Sequence, residues 1–366
     1  MRFSHLDGVR GWASLMVLFS HLGPCFLLAD LDLTIYPVFS DGALAVYLFF
    51  VLSGLVMSIH HFRAPSRERL ITAALRRYPR LCLPVLAASL IAVMLVQWDA
   101  MWNLPLAKEG GYRWLGQFYA FTPDAKDWLR FSLLDVFFRY DRETTLIPVL
   151  WTMQHELVGS MAIFAFLAVA GQSRLRYPLY LAAFAWLVKT ESPLVAFLMG
   201  MMLADLIASP AGRRLAALRG ARAVCIAMLI LSLAAAMFRA RYATPLHLSV
   251  LATGILAAIS FNPALQRPFA TPLSQQLGAM SFSLYLVHFL VLCSAVSALH
   301  LWLLRSGVGQ LPAGLLTFAT GTVTSLAAAR LFQPLEVASM RLARQIGDAV
   351  KSVAGLLGGP VLRRAP

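Results

Sequence analysis

Long apolar runs recur along the whole chain and are separated by short polar segments. A helix needs about 20 mostly apolar residues to cross a hydrocarbon core about 30 Å thick, and ten runs approach that length. The pattern predicts an all-α polytopic membrane protein with about ten transmembrane helices. The predicted spans are 11–30, 42–61, 81–98, 147–170, 177–190, 193–209, 223–239, 245–261, 281–304 and 311–332.

Composition and charge support this class of protein. Hydrophobic residues make up 59% of the 366 residues and charged residues 13%, whereas soluble domains carry about 45–50% and about 25%. The net charge is +14, and most Lys and Arg residues fall on loops that ten spans would place on the side of both termini. Cytoplasmic loops collect such charges. We therefore expect cytoplasmic termini, a lipid bilayer as the surroundings and no nucleic-acid partner.

Two segments are expected to lie outside the bilayer. Residues 99–146 form the longest segment between spans, rich in Trp, Tyr and acids, and are predicted to be extracytoplasmic. Their apolar stretch 131–138 is too short to cross and predicts an interfacial or re-entrant helix. Residues 334–366 are predicted to be a basic cytoplasmic tail on the membrane surface. The four cysteines show no CxxC spacing, so no disulfide framework or metal site is predicted.

The first predicted helix carries polar side chains that are costly inside a bilayer and are therefore candidates for function. Asp7, Arg10, Ser14 and His21 fall on one helix face at about 100° per residue. At a rise of about 1.5 Å per residue, His21 lies about 16 Å deeper than Arg10. With Arg10 at the cytoplasmic boundary, the imidazole reaches the middle of the bilayer. A hydrogen bond to a neighbouring helix, with only a packing role, is the alternative.

Two further groups of charged residues are candidates. Arg76, Arg77 and Arg80 lie at the cytoplasmic end of the third span, and guanidinium groups suit bidentate phosphate binding. Charges that only set the topology are the alternative reading. Glu156 lies within the fourth span at a depth similar to that of His21. Its carboxylate is expected either to orient the imidazole or to pair with an arginine of another helix.

Three weaker candidates lie in the second and ninth spans. Tyr285 and His288 share one helix face at a spacing of three residues, with ordinary interhelical hydrogen bonds as the alternative. Ser53 precedes Gly54, and such small residues permit close helix approach.

Taken together, these motifs resemble the acyltransferase-3 family of integral-membrane O-acyltransferases. The resemblance rests on the sequence LDGVRGWA at 6–13 followed by His21, on FFVLSG at 49–54, and on the segments 77–80, 151–156 and 283–288. It implies a membrane acyltransferase domain over residues 1–333 in the inner membrane. It also implies transfer of an acyl group, usually acetyl, from cytoplasmic acyl-CoA to a hydroxyl of a glycan or small molecule.

The resemblance also implies roles for individual residues. His21 would be the base or the acyl carrier, with Arg10 supporting it and Glu156 completing the catalytic group. Arg77 and Arg80, with the adjacent Arg76, would contact the CoA phosphates. No permanently bound cofactor is implied, since acyl-CoA is the donor substrate.

The chemistry of the residues fits acyl transfer in two ways. A neutral imidazole, with an unperturbed pKa near 6.5, can accept the hydroxyl proton as that oxygen attacks a thioester, or it can attack the thioester itself. The rival class is a proton-coupled secondary transporter or a lipid-linked sugar flippase, because intramembrane His, Arg and Glu also form proton relays. No two-fold internal repeat is evident in the spans, which favours the enzyme.

Overall fold

A computed structural model describes residues 3–27, 38–121, 123–238 and 243–357, and these ranges contain helices and loops but no strands. The α-helices are α1 (Ser4–Phe26), α2 (Gly42–Arg63), α3 (Arg67–Gln97), α4 (Asn103–Gly110), α5 (Ala125–Arg130), α6 (Val136–Phe138), α7 (Thr152–Ala170), α8 (Arg176–Lys189), α9 (Leu194–Ala208), α10 (Pro210–Ala217), α11 (Ala221–Met237), α12 (Pro245–Phe261), α13 (Pro263–Gln266), α14 (Pro272–Ala279), α15 (Ser281–Val291), α16 (Ser297–Arg305) and α17 (Gln310–Leu357).

Each of the ten predicted apolar runs overlaps a helix. Among the described residues, five helical segments are long and apolar enough to cross a membrane: Gly42–Arg63, Arg67–Gln97, Pro148–Ala170, Ser281–Arg305 and Gln310–Lys351. The number rises to seven if α9 with α10, bent by 75°, and α12 with residues 263–270, bent by 105°, each form one span. The chain is therefore a multi-pass membrane protein. Ten crossings and cytoplasmic termini stay predictions.

Several helices begin where the local sequence favours a start. The Asp41 side chain accepts a hydrogen bond from the Leu44 backbone N–H at 2.9 Å, at the start of α2. The Ser66 hydroxyl accepts one from the Arg69 N–H at 3.2 Å, at the start of α3. Such side chains satisfy backbone donors that the first helical turn leaves unpaired. The loop residues between the membrane helices thus fix where α2 and α3 begin.

Helices α2 and α9 cross at two glycines. A Cβ atom on Gly54 would lie 2.2 Å from the Phe197 carbonyl oxygen, and one on Gly200 would lie 2.1 Å from the Val51 carbonyl oxygen. Each glycine therefore accommodates the backbone of the other helix. Close contact through small residues is a main source of helix association inside a bilayer.

We expect Gly54→Ala to destabilise the protein by about 1–3 kcal/mol, because its methyl group would overlap backbone atoms that cannot rotate away. Thermal unfolding in detergent measures the loss. Gly309→Ala is the control, since the nearest atom to its Cβ would be 3.7 Å away. Equal melting temperatures for the two variants would contradict the close crossing.

The segment 99–146 is stabilised by internal hydrogen bonds and by an ion pair with α16. The Asn103 side-chain amide donates to the Leu115 and Phe118 carbonyls at 2.9 and 2.8 Å. Arg305 donates to Glu109 at 2.6 and 2.9 Å and thereby lowers the pKa of that carboxyl. The stretch predicted as an interfacial helix, 131–138, consists of a π-helical turn followed by α6.

The C-terminal helix continues well past the predicted start of the tail. Helix α17 runs from Gln310 to Leu357 and includes Pro334. Arg76 pairs with Asp348, and Lys351 pairs with Glu68, so the end of α17 lies along the first turns of α3. The division into a domain at 1–333 and a tail at 334–366 stays a prediction, and residues 358–366 lie outside the described ranges.

Candidate active site

Three cavities adjoin one another within the helical bundle. The arginine cavity, of about 570 Å³, is lined by residues that include His60, His61, Arg69, Arg76, Arg77, Arg80 and Arg344. The central cavity, of about 410 Å³, is lined by residues that include Asp7, Arg10, Ser53, Arg77, Arg80, Glu156, Tyr285 and Glu336. The histidine cavity, of about 750 Å³, is lined by residues that include His21, Tyr112, Trp114, Trp151 and Tyr285.

Shared side chains show the order of these cavities. Arg77, Arg80 and Met340 line both the arginine and the central cavity. Val46 and Tyr285 line both the central and the histidine cavity. The central cavity therefore lies between the other two, with Val46 and Tyr285 separating it from the histidine cavity.

Two glycines of the first motif bring α1 against residues 269–278. A Cβ on Gly8 would lie 1.9 Å from the Phe269 carbonyl oxygen, and one on Gly11 would lie 2.5 Å from the Gly278 backbone nitrogen. A larger residue at either position would push α1 away. The glycines of the LDGVRGWA segment thus place the polar face of α1 at the cavities.

The predicted polar face of α1 is divided between two cavities. Asp7 and Arg10 line the central cavity and form an ion pair at 3.7 Å. His21 lines the histidine cavity. Ser14 is buried and lines none of the three cavities. Its hydroxyl donates to the Gly11 carbonyl of its own helix at 2.7 Å.

The His21 ring lies among aromatic side chains and is partly exposed to the histidine cavity. It stacks on Trp114 with ring centroids 5.7 Å apart and meets Phe289 edge-on at 5.5 Å. Its Nδ1 lies 3.2 Å from Nε2 of His288. The imidazole is therefore fixed in orientation by its neighbours and still reaches open space.

The hydrogen bonds of His288 assign the proton positions in both rings. Nδ1 of His288 lies 2.9 Å from the Leu284 carbonyl oxygen, which can only accept, so this nitrogen carries a proton. In the neutral ring its Nε2 is then an acceptor, and Nδ1 of His21 must donate to it. His21 therefore keeps an unprotonated Nε2, the form a base or a nucleophile needs. The assignment follows from the bonding partners.

Glu156 pairs with an arginine of another helix, which is one of the two roles expected from the sequence. Its carboxylate pairs with Arg77 and accepts from Ser53 Oγ at 3.0 and 3.1 Å. Arg77 Nε also donates to Ser160 Oγ at 2.7 Å. The other expectation, that Glu156 orients His21, is wrong, because His288 occupies that place. Glu156 faces α2 and α3, whereas the ring of His21 faces α15.

Tyr285 joins two helices at the border between the central and histidine cavities. Its hydroxyl donates to the Val149 carbonyl and lies 2.7 Å from Thr152 Oγ1. The reading of Tyr285 as an interhelical hydrogen bond is confirmed. His288, predicted on the same face, also forms an interhelical hydrogen bond, with His21 of α1.

The three arginines predicted to bind phosphate have different surroundings. Arg76 pairs with Asp348, and Arg77 pairs with Glu156. Arg80 lines two cavities and has no hydrogen bond or ion pair within the described ranges, although the carboxylates of Glu336 and Glu156 lie near enough to attract it. Arg80 is therefore the one of the three that is available for a ligand.

Two residues at the cavities, Glu336 and Trp114, were not predicted as site residues from the sequence. Glu336 is buried, accepts a hydrogen bond from Ser283 and lines the central cavity, but it falls in the segment read as a surface tail. Trp114 stacks on His21 from a segment read only as extramembrane. The sequence signal that could have indicated Glu336 is an acidic residue two positions after Pro334, next to an apolar span. Across residues 3–27, 38–121, 123–238 and 243–357, no cluster of three or more His, Cys, Asp or Glu is arranged to hold a metal ion.

Comparison with known proteins gives one match. The family model described as an acyltransferase domain, acyltransferase-3, matches residues 3–330, nearly the whole chain. The searches of curated proteins and of solved structures each found no match. Glu336 and Arg344 lie beyond the matched residues.

Proposed function

Because the chain belongs to the acyltransferase-3 family, we propose that this membrane acyltransferase moves an acetyl group from cytoplasmic acetyl-CoA to a hydroxyl. The acceptor is an exported glycan or a small molecule, and the protein lies in the inner membrane with both termini in the cytoplasm. In this orientation the arginine cavity opens toward the donor.

The observation that carries the proposal is the order of the cavities. Five arginines line the first cavity and suit the phosphates of CoA. The central cavity follows, and the unprotonated nitrogen of His21 belongs to the third. A long donor with a charged end and a neutral thioester arm matches this order. The arm would extend through the central cavity toward His21.

The proposed reaction uses the bonding of the two histidines. Nε2 of His21 accepts the acceptor's hydroxyl proton while that oxygen attacks the thioester carbonyl. The carbon–sulfur bond breaks, and the proton returns to the leaving thiolate, so an ester and free CoA result. Nε2 of His288 accepts the hydrogen bond from the Nδ1–H of His21 throughout and stabilises the imidazolium ring of His21. In the alternative order, Nε2 attacks first and carries the acyl group to the hydroxyl.

The histidine cavity suits the acceptor. Tyr112, Trp114 and Trp151 line it together with His21, and aromatic rings offer apolar faces beside polar edges. A sugar ring presents the same combination of apolar C–H faces and hydroxyl edges. The acceptor hydroxyl would then lie beside His21.

A transfer assay in detergent tests the proposal against the transporter alternative. Purified protein is incubated with radiolabelled acetyl-CoA and candidate glycans, without a sealed membrane. We expect label on the acceptor and release of free CoA in equal amounts. A transporter or a flippase needs a compartment and would leave the acceptor unlabelled. Absence of label with every glycan and small-molecule acceptor tried, from protein that unfolds cooperatively, would overturn the proposal.

A further inference from the structure

The extension of α17 beyond the family match forms part of the arginine cavity. Met340, Ala343 and Arg344 line this cavity, whereas the family model ends at residue 330. The extension packs closely on α3, because a Cβ on Gly347 would lie 2.4 Å from Cγ of Arg76. It therefore forms a fixed wall of the cavity.

The charges of the arginine cavity are only partly balanced. Arg76 and Arg77 pair with carboxylates, and Arg69 donates to the Ala64 carbonyl at 2.6 Å. Arg80 and Arg344 have no hydrogen bond or ion pair within the described part of the chain. None of the described residues that line it is an Asp or a Glu. The cavity therefore presents uncompensated positive charge, which favours an anionic ligand.

A buried histidine gives an independent indication of a ligand. His61 lines the same cavity and is 8% exposed. Both of its ring nitrogens lack a hydrogen-bond partner, although buried polar side chains nearly always have one. Both nitrogens are covered by neighbouring protein atoms, so the ring would have to turn toward the cavity to donate a hydrogen bond to a ligand with acceptor oxygens.

We propose that Arg344 and His61, together with Arg80, bind the phosphate groups of the nucleotide end of the acyl donor. The C-terminal extension, which the family model does not cover, then completes the donor site. This inference rests on the proposed function, since it takes acyl-CoA as the donor. It assigns binding to Arg344, a residue of the segment predicted from sequence to be a surface tail.

The test measures binding of the nucleotide end alone. The probe is adenosine 3′-phosphate 5′-diphosphate, which carries the phosphates of CoA without the pantetheine arm, and the full-length protein is held in neutral detergent. We expect Arg344→Ala to raise the dissociation constant at least about 10-fold, because a charge-assisted contact to phosphate is lost. The dissociation constant of Arg344→Lys should fall between those of the wild type and Arg344→Ala. Lysine keeps the positive charge but cannot form the two parallel hydrogen bonds of a guanidinium group.

Arg341→Ala is the matched control. Arg341 lies one turn earlier on α17, is exposed and does not line the cavity, so its loss should change the dissociation constant less than about twofold. His61→Gln, which removes the ring and keeps a polar side chain, should weaken binding as well. Melting temperatures of all variants show that each is folded.

The outcomes separate this inference from the proposed function. Equal binding by wild type, Arg344→Ala and Arg341→Ala would overturn the inference, while labelled acceptor in the transfer assay would still support acyl transfer. Binding of the probe without any acetyl transfer would count against the proposed function alone. Displacement of the probe by added phosphatidylglycerol micelles, with no displacement by CoA, would identify a lipid headgroup as the occupant and overturn the inference.

Discussion

Substituting His21 with alanine is expected to lower acetyl transfer by about 100- to 10,000-fold, the usual range for losing a general base. His21 lines the histidine cavity with an unprotonated nitrogen, and no other described residue of that lining offers the same proton acceptor. Turnover of labelled acetyl-CoA measures the loss. The control His247→Ala alters an exposed histidine at the start of α12, away from all three cavities.

His288 gives a graded test of the same arrangement. We expect His288→Ala to reduce turnover by about tenfold or more, because His21 Nδ1 loses the acceptor that holds its tautomer. His288→Gln should recover part of the activity, since an amide oxygen can accept the same proton. Full activity in His21→Ala would contradict any catalytic role of His21. Equal activity in the two His288 variants would contradict the role of His288 in holding the proton on Nδ1 of His21.

Alanine substitutions of Arg77 and Arg80 are expected to have different effects on stability and on donor binding, although the two residues lie three positions apart. Arg77→Ala leaves the buried Glu156 carboxylate without its ionic partner, and breaking such a pair costs about 3–5 kcal/mol. The melting temperature in detergent should fall clearly. Adding Glu156→Gln should restore part of it, because the uncompensated charge is then absent.

Arg80→Ala is expected to keep the melting temperature and to raise the dissociation constant of acetyl-CoA about tenfold. Arg80 lines the arginine and central cavities without an ion pair in the part of the chain described, so its loss breaks no ion pair and removes one phosphate contact. Equal effects of the two substitutions on both stability and binding would contradict the division of roles.

The sequence predicts where the helices lie better than which residues contact each other. Apolar runs predict helices at the right places, because their length is fixed by the membrane. The rise per residue also predicted similar depths for Glu156 and His21, but Glu156 lies with Arg10 at the central cavity, whereas His21 lies at the histidine cavity. Which face of α7 meets which helix depends on side-chain packing across the bundle, and this packing directs Glu156 to Arg77 and leaves His288 for His21.

The end of the last helix shows a second limit of sequence reasoning. Pro334 and the basic residues after it predicted a change of segment. A proline removes one backbone donor and often ends or bends a helix, but packing can outweigh that loss. Here α17 continues along α3 and brings Glu336 and Arg344 to the cavities. Periodicity within one helix does not reveal such packing between distant segments.

The hydroxyl of Tyr285, bound to the Val149 carbonyl and to Thr152, has a consequence for a protein entered from both faces of a membrane. In the proposed orientation, Tyr285 and Val46 form a septum between two cavities that open toward opposite faces of the bilayer, so a membrane voltage would act across it. Any charge crossing there would do electrical work of about 2.3 kcal/mol per 100 mV. An acetyl group is neutral, so its passage costs no such work. The septum would thus admit the neutral thioester arm and disfavour ions, and turnover is expected not to depend on the membrane voltage.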